Sequence, residues 1–113
     1  MVRRAWGWYF TFLRTPWLCI KLLRFKPRHA LSMQRHEKRT EVWFFLNAVG
    51  KIEYRPYIHA APPQRAQNAW LNKAFEVWVV KKGWWHRFTA FEKPVYVIEL
   101  QYGKVSEEDI ERE

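Results

Sequence analysis

The chain has 113 residues, a single cysteine and a formal net charge of +9. This length allows one compact domain, and the lone Cys19 excludes an intrachain disulfide framework. Aromatic residues make up 19% of the chain and include eight tryptophans, each of which needs a partner for its indole N–H group when buried. The composition therefore predicts that several tryptophans lie at an interface, next to a partner that carries negative charge.

Residues 1–28 are predicted to form a hydrophobic and basic N-terminal helical anchor. No acidic residue occurs before Glu37, which is typical of a mitochondrial targeting segment, although serine is scarce there. Thr15 and Pro16 have the residue types of a helix N-cap and a first helical position, and the helix is expected to end before Pro27. The pattern therefore indicates a helix that begins at Pro16 and follows a first apolar run.

The apolar stretch over residues 5–25 is long enough to cross a bilayer, but Arg14, Lys21 and Arg24 interrupt it. A charged residue near the middle of a span costs about 2.5–3.5 kcal/mol on insertion scales. Three interpretations stay open: a helix at the membrane interface or against membrane subunits, a kinked span, and a helix of a soluble complex. The expected membrane or interface anchors are Trp6, Trp8, Phe10 and Trp17, and the expected anionic-lipid contacts are Arg24, Lys26 and Arg28.

The whole chain predicts an α+β fold, in which the aromatic and basic helical arm precedes a small body with one helix and a short antiparallel sheet. Residues 29–40 are interpreted as a basic hinge, 41–105 as the body and 106–113 as an acidic C-terminal tail. Residues 41–50 are compatible with either a strand or a helix, because short apolar runs do not distinguish the two.

Two segments of the body have a clearer period. Apolar residues recur at three- and four-residue spacing over residues 64–77, which predicts a helix. Side chains over residues 95–102 divide into two faces with a period of two, which predicts a strand. Trp84 and Trp85 follow the glycine that is expected to end the helix, and they are predicted to contact a partner protein.

No catalytic, cofactor-binding or metal-binding motif is recognised in the sequence. The four glycines are too widely spaced for a phosphate-binding loop. The histidines lack the spacing to cysteine or acidic residues that is typical of zinc sites, and they are interpreted as surface or interface residues; they are His29, His36, His59 and His86. The sequence therefore predicts a protein without enzyme activity, catalytic residues, metal or cofactor.

These features favour a structural accessory subunit of a mitochondrial inner-membrane complex, such as a respiratory complex or the ATP synthase. Its partners are expected to be other subunits of that complex and membrane phospholipid, with cardiolipin as a candidate, and no small-molecule substrate is expected. The alternative is a mitochondrial ribosomal protein whose basic arm binds ribosomal RNA, because basic and aromatic residues together are typical of RNA binding.

Overall fold

The computed structural model describes residues 1–47, 49–56, 65–106 and 108–112. These residues form β-strands and contain no helix. The strands are β1 (Val2–Arg4), β2 (Gly7–Arg14), β3 (Leu18–Phe25), β4 (Gln34–Arg35), β5 (Arg39–Phe45), β6 (Gly50–Arg55), β7 (Gln67–Leu71), β8 (Glu76–Val80), β9 (Trp85–Ala90), β10 (Val95–Gly103) and β11 (Glu111–Arg112).

The strands form two antiparallel sheets. One sheet has six strands in the order β1-β2-β3-β10-β5-β8, and the other has five in the order β11-β4-β9-β6-β7. Strand β10, near the end of the chain, lies between β3 and β5 and pairs with both along most of its length. The last long strand therefore sits at the centre of the six-stranded sheet, next to strands from the first half of the sequence.

Alternating burial explains why these segments form strands. In β5, Arg39, Glu41, Trp43 and Phe45 are buried, while the residues between them are half-buried or exposed. Strand β10 shows the same alternation from Val95 onwards. This period of two places one set of side chains between the sheets and the other set on the outer face.

The hydrophobic core joins the two sheets. Phe88 on β9 is fully buried, and its ring lies 4.9 Å from that of Phe25 on β3 and 5.0 Å from that of Phe45 on β5, measured between centroids. Val95 and Val97 on β10 are also fully buried in this cluster. The two sheets therefore face each other across an aromatic core, which is the arrangement of a β-sandwich or barrel.

The prediction of a helix that begins at Pro16 is wrong, because the chain turns there and continues as strand β3. The hydroxyl of Thr15 accepts hydrogen bonds from the backbone N–H groups of Trp17, at 3.2 Å, and Leu18, at 2.8 Å. The N–H of Thr15 also donates to the carbonyl of Leu18. A threonine can close a turn in this way just as it caps a helix, so the capping signal marks the β2–β3 hairpin instead.

The prediction of a helix over residues 64–77 is also wrong. The predicted α+β fold class is wrong as well, because the described residues form strands only. The described part of this segment, residues 65–77, contains strand β7 and the start of β8, joined by a turn in which Phe75 has a φ of 61°. Gln64 lies outside the described residues. Residues 41–45 belong to a strand, and the strand expected over residues 95–102 is present as β10.

Strands from the expected arm and from the expected body share one sheet. Residues 1–28 contribute β1, β2 and β3, which pair onward through β10 to β5 and β8. In the expected tail, strand β11 pairs with β4 from the expected hinge. No helix among the described residues is long and apolar enough to cross a membrane. The expected helical anchor is therefore replaced by strands that form part of the folded β-structure.

Candidate metal and ligand site

A polar cavity of about 130 Å³ opens between the two sheets, at the end of the aromatic core. Inward-facing residues of β5 and β10 form one wall, and His86 on β9 lies on the opposite sheet. Strand pairing places Gln101 directly opposite Glu41 and Glu99 directly opposite Trp43. Because the side-chain period in a strand is two, these four side chains share the inner face and are brought together in the cavity wall.

Three buried side chains converge in this cavity. His36, just after β4, has its Nε2 atom 3.3 Å from Oε2 of Glu41, and His86 has its Nε2 atom 3.6 Å from Oε1 of the same carboxylate. Each of the three residues is at most 4% exposed. Their potential ligand atoms all lie within 4.8 Å of one another.

Backbone carbonyls fix the direction in which both imidazoles point. Nδ1 of His36 lies 2.6 Å from the carbonyl oxygen of Asp109, and Nδ1 of His86 lies 3.3 Å from that of Trp84. A carbonyl only accepts, so Nδ1 carries the proton in each neutral ring. The unprotonated Nε2 atoms of both histidines therefore face the carboxylate of Glu41.

Burial keeps these imidazoles uncharged at neutral pH. It lowers the pKa of His36 to about 4, although the nearby charge of Glu41 opposes the shift, and it lowers the pKa of His86 for the same reason. Two neutral nitrogen lone pairs thus face an anionic carboxylate. This arrangement of acceptors is unfavourable unless a cation or hydrogen-bond donors lie among them.

Arg39 and Trp43 supply part of that compensation. The guanidinium of Arg39 donates to Oε2 of Glu41 at 3.0 Å, and its Nη2 atom lies 3.2 Å from Nε2 of His36. The indole N–H of Trp43 donates to Oε1 of Glu41 at 3.1 Å. Burial alone would raise the pKa of Glu41, but the histidines, Arg39 and Trp43 together lower it to about 2. At neutral pH the carboxylate is held by the guanidinium and the indole.

Glu99 is a second buried carboxyl group in the same wall. Burial and the negative charge of Glu41 raise the pKa of Glu99 to about 8, so it carries a proton at neutral pH much of the time. The side-chain amide of Gln101 donates to Oε1 of Glu99, and the amide oxygen of Gln101 is buried with no hydrogen-bond partner among the described residues. This unpaired acceptor lines the cavity and is available to a ligand.

The donor set at His36, Glu41 and His86 fits a divalent transition metal. Two neutral imidazoles and one carboxylate form a known set for Zn²⁺ in catalytic sites, and also for non-haem Fe²⁺. Metal-ligating histidines usually donate their other ring N–H to a backbone carbonyl, as both do here. Arg39 already brings one positive charge to this carboxylate, so a bound ion shares Glu41 with the guanidinium.

The expected anchors lie in two different environments. Trp6 lines the cavity, and its ring packs 4.7 Å from that of Phe25. Trp8 packs edge-on against Tyr96 on the outer face. Phe10 and Trp17 are exposed, Trp17 at 66%. The expected interface role of these four residues stays a prediction.

The expected lipid contacts are not grouped around one site. The guanidinium of Arg24 donates to the hydroxyl of Tyr96 at 3.1 Å, on the outer face of the six-stranded sheet. Lys26 and Arg28 are exposed in the loop after β3, where Arg28 has a φ of 62°. Trp84 and Trp85 are half-buried, and Trp84 stacks on Tyr54 with centroids 6.1 Å apart. The roles predicted for these residues also stay predictions.

The sequence interpretation missed the residues that form the site. His36 and Glu41 are separated by four residues, which span a turn and the start of β5, and His86 comes fifty positions after His36. The available signal was the acidic residue at an inward position of an apolar strand. A buried carboxylate needs a charged or hydrogen-bonding partner, so Glu41 just before Val42-Trp43 pointed to a polar site inside the fold.

The two facing antiparallel sheets around a polar cavity form a cupin-like double-stranded β-helix fold, which is also the fold of similar solved structures. The chain belongs to the family described as mannose-6-phosphate isomerase C-terminal, which it matches over residues 1–113. Among solved structures it is similar to the capsular polysaccharide assembling protein CapF from Staphylococcus aureus, with a TM-score of 0.78 and 15% identity over 95% of this chain. No curated protein sequence matches the chain.

Other similar structures carry the same fold. The chain resembles an oxalate oxidase with a TM-score of 0.69 and 12% identity over 84% of its length, and KdgF from a Halomonas species with 0.63 and 14% over 88%. The matched region spans 30% of the CapF chain, 45% of the oxalate oxidase and 80% of KdgF. At these identities the similarity establishes the fold and leaves the activity to be argued from the site.

These findings correct the functional expectations. Membership in the family described as mannose-6-phosphate isomerase C-terminal overturns the expected accessory subunit of a mitochondrial inner-membrane complex and the ribosomal alternative. The expected partners, which were complex subunits and phospholipid without a small-molecule substrate, are wrong for the same reason, as is the expected inner-membrane location. The prediction that the chain is not an enzyme is overturned by the family, whose description names an isomerase.

Proposed function

We propose that the cavity binds a phosphorylated sugar beside a divalent metal ion and supports isomerisation of that sugar. The observation that carries this proposal is the convergence of two neutral imidazoles on the carboxylate of Glu41 inside a polar cavity. The family description, mannose-6-phosphate isomerase C-terminal, supplies the class of substrate and reaction.

His36, Glu41 and His86 are the residues that would hold the metal. A metal ion held there would supply Lewis acidity toward the carbonyl oxygen of a sugar in its open-chain form. The Nδ1–H groups of both histidines donate to backbone carbonyls, which keeps each Nε2 lone pair turned toward the carboxylate of Glu41, where a metal would bind. Burial keeps the rings neutral and therefore able to ligate at neutral pH.

Cationic and aromatic side chains at the cavity wall suit a sugar phosphate. Arg4 and Lys21 line the cavity on either side of Tyr9: the Arg4 guanidinium lies 5.5 Å and the Lys21 ammonium 4.6 Å from the ring centroid. Basic side chains complement a phosphate group, and the flat faces of Tyr9 and Trp6 offer apolar surface to a sugar ring. The unpaired amide oxygen of Gln101 accepts a hydrogen bond from a sugar hydroxyl.

Glu99 is the candidate for the proton transfer that isomerisation requires. Converting an aldose to a ketose moves one proton from the carbon next to the carbonyl onto the carbonyl carbon, while a second proton moves between the two oxygens. A group that takes and returns the carbon-bound proton works best when its pKa is near the working pH. Burial in the cavity wall raises the pKa of Glu99 to about 8, which suits this role.

The proposal is tested with the full chain, first stripped of metal by a chelator and then loaded with Zn²⁺. We expect mannose 6-phosphate to bind the Zn²⁺-loaded chain in calorimetry and to be converted to a ketose phosphate in a coupled assay. Glu99→Gln is expected to retain Zn²⁺ and sugar binding and to lose ~100-fold or more of the turnover. Glu92→Gln, which changes an exposed glutamate, is the matched control and should keep full activity.

Two outcomes contradict this proposal. If the Zn²⁺-loaded chain neither binds nor converts the sugar phosphate, the cavity serves another ligand. If turnover occurs equally in metal-free and metal-loaded chains, the metal has no part in it.

A further inference from the structure

The C-terminal segment, which we define as residues 106 and 108–112, is bonded to two strands beside the cavity. Near its start, the guanidinium of Arg39 donates to the backbone carbonyl of Ser106 at 3.2 Å. Near its end, the guanidinium of Arg35 donates to the carboxylate of Glu111 at 2.5 Å. The segment is therefore attached to the last residue of β4 and to the first residue of β5.

Asp109, in the middle of this segment, binds the short loop that joins these two strands. One of its carboxylate oxygens accepts the backbone N–H of Glu37 and the other accepts that of Lys38, both at 2.9 Å. Its backbone carbonyl accepts from Nδ1 of His36 at 2.6 Å. Three acceptor atoms of one residue therefore contact three consecutive residues of the loop, the first of which belongs to the candidate metal cluster.

The carboxylate of Asp109 keeps its own carbonyl next to the imidazole. Hydrogen bonds to an ionised acceptor are roughly twice as strong as neutral ones, so the two bonds to the loop fix the position of this residue. A neutral imidazole can carry its proton on either nitrogen, and the carbonyl selects Nδ1 of His36. If the carbonyl moved away, a proton on Nε2 would occupy the lone pair that faces Glu41.

The backbone of His36 is held separately from its ring. Its carbonyl accepts the N–H of Gly83, just before β9, at 2.6 Å. This bond involves no atom of the C-terminal segment. Loss of the carboxylate of Asp109 should therefore release the imidazole of His36 while this backbone bond stays in place.

His86 has its carbonyl partner nearby in the sequence. Its Nδ1 atom lies 3.3 Å from the carbonyl oxygen of Trp84, two residues earlier. The partner of His36, in contrast, lies 73 positions later in the chain. The direction of one imidazole thus depends on the C-terminal segment, whereas the direction of the other depends on the chain next to it.

From these contacts we propose that Asp109 is a positioning residue of the metal site: it holds His36 in the tautomer and direction that a metal ligand needs. The proposal rests on the metal site of the proposed function, and Asp109 is not itself a member of the cluster. Ligating histidines are commonly oriented by such a second partner, whose loss weakens metal binding by about 10- to 100-fold. The same segment also contributes Ile110 and Arg112 to the cavity wall.

The first measurement uses the metal-free full chain, labelled with ¹⁵N, near neutral pH. Long-range ¹H–¹⁵N correlation spectra show which ring nitrogen of each histidine carries the proton. In the wild type we expect the Nδ1–H tautomer at both His36 and His86. In Asp109→Ala we expect His36 to populate both tautomers while His86 keeps its own. A general loss of structure would change both histidines, so this comparison separates positioning from stability.

Asp109→Asn is a second variant of almost the same shape, chosen in case the alanine variant does not fold. It keeps one acceptor oxygen and therefore one of the two bonds to the loop. We expect it to shift the tautomer of His36 in the same direction as Asp109→Ala, but by less.

The second measurement is the Zn²⁺ affinity of the same chains, by competition with a chromogenic chelator. Asp109→Ala is expected to bind Zn²⁺ about 10- to 100-fold more weakly than the wild type. Glu108→Ala is the matched control, because it removes the same charge from an exposed position of the same segment. It should leave the affinity and both tautomers unchanged, which excludes a simple loss of attraction between an acidic residue and a cation.

The proposal is wrong if His36 keeps the Nδ1–H tautomer in both variants of Asp109, or if both histidines change together in Asp109→Asn. Equal Zn²⁺ affinity in Asp109→Ala and Glu108→Ala also overturns it. A Zn²⁺-loaded chain that does not convert the sugar phosphate would contradict the proposed function alone, since neither measurement uses a sugar.

Discussion

Glu41 and Glu99 are buried carboxyl groups on neighbouring strands of one cavity wall, yet their pKa values are shifted in opposite directions, to about 2 and about 8. Glu41 receives the guanidinium of Arg39 and the indole N–H of Trp43, which stabilise its anion. Glu99 receives the amide of Gln101, and its burial and the negative charge of Glu41 outweigh the positive charges of Lys21 and Arg39. Such a pair, one anionic and one protonated, is typical of sites that combine charge stabilisation with proton transfer.

The first prediction concerns the pH dependence of stability in the metal-free chain. Burial raises the pKa of Glu99 from 4.5 to about 8, so the unfolded chain ionises this group at a lower pH than the folded chain does. Folding stability is therefore lost as the pH rises between these two values. The pKa of His36 is lowered from 6.5 to about 4, so this residue reduces the folding stability of the chain only as the pH falls below 6.5. Between pH 6.5 and 8, Glu99 therefore lowers the free energy of unfolding by ~1.4 kcal/mol per pH unit.

Urea denaturation at a series of pH values in this window measures the slope. Glu99→Gln cannot ionise and is expected to flatten it, whereas the exposed substitution Glu92→Gln should leave it unchanged. A wild-type chain whose stability is constant from pH 6.5 to 8 would show that Glu99 is already ionised in the folded state.

The second prediction concerns metal binding. His36→Gln and His86→Gln each remove one of three ligands, so each is expected to weaken Zn²⁺ binding by ~100-fold or more. Competition with a chromogenic chelator measures the affinity. His29→Gln provides the control, because His29 is exposed and lies outside the cluster. Equal Zn²⁺ affinity in all three variants would place the metal elsewhere.

The sequence predicts individual strands better than it predicts their partners. The strand over residues 95–102 can be predicted because its side chains divide into two faces, one of which consists of Tyr96, Ile98, Leu100 and Tyr102. Strand β3 alternates in burial except at Lys21, but Lys21 and Arg24 fall at spacings that also suit a helix, and Thr15 with Pro16 imitates a helix start. Local signals of this kind are shared by turns and helix caps, so only pairing with β2 and β10 decides between them.

The site could not be predicted because its members are distant in the sequence. Glu41 and Gln101 are register partners across β5 and β10, and His86 comes from the other sheet. A pattern search by spacing finds ligands on one helix or one loop, whereas this cluster depends on which strands become neighbours. Trp43 follows the same logic: it packs in the core at 2% exposure, and its indole N–H is satisfied there by Glu41.

The third prediction compares two glutamate–arginine pairs. Glu41→Gln removes the counter-charge of Arg39, which is 9% exposed, and leaves a buried guanidinium without an anion. Breaking a buried pair in this way is expected to lower the free energy of unfolding by about 3–5 kcal/mol. Glu53→Gln breaks the more exposed pair with Arg87 and should cost only about 0–1 kcal/mol.

Urea denaturation of the metal-free variants measures both values at the same pH. Similar costs for the two substitutions would mean that the pair in the cavity wall is as well solvated as the pair between β6 and β9.

The fourth prediction concerns the aromatic core that joins the sheets. Phe88 is 1% exposed and packs against Phe25 and Phe45 from the facing sheet. Phe88→Ala is expected to lower the free energy of unfolding by about 3–5 kcal/mol, because it loses buried apolar area and leaves a cavity. Phe75→Ala is the control, since Phe75 is 79% exposed, and should cost far less. Thermal denaturation of the two variants compares them, and an equal loss would show that Phe88 does not hold the two sheets together.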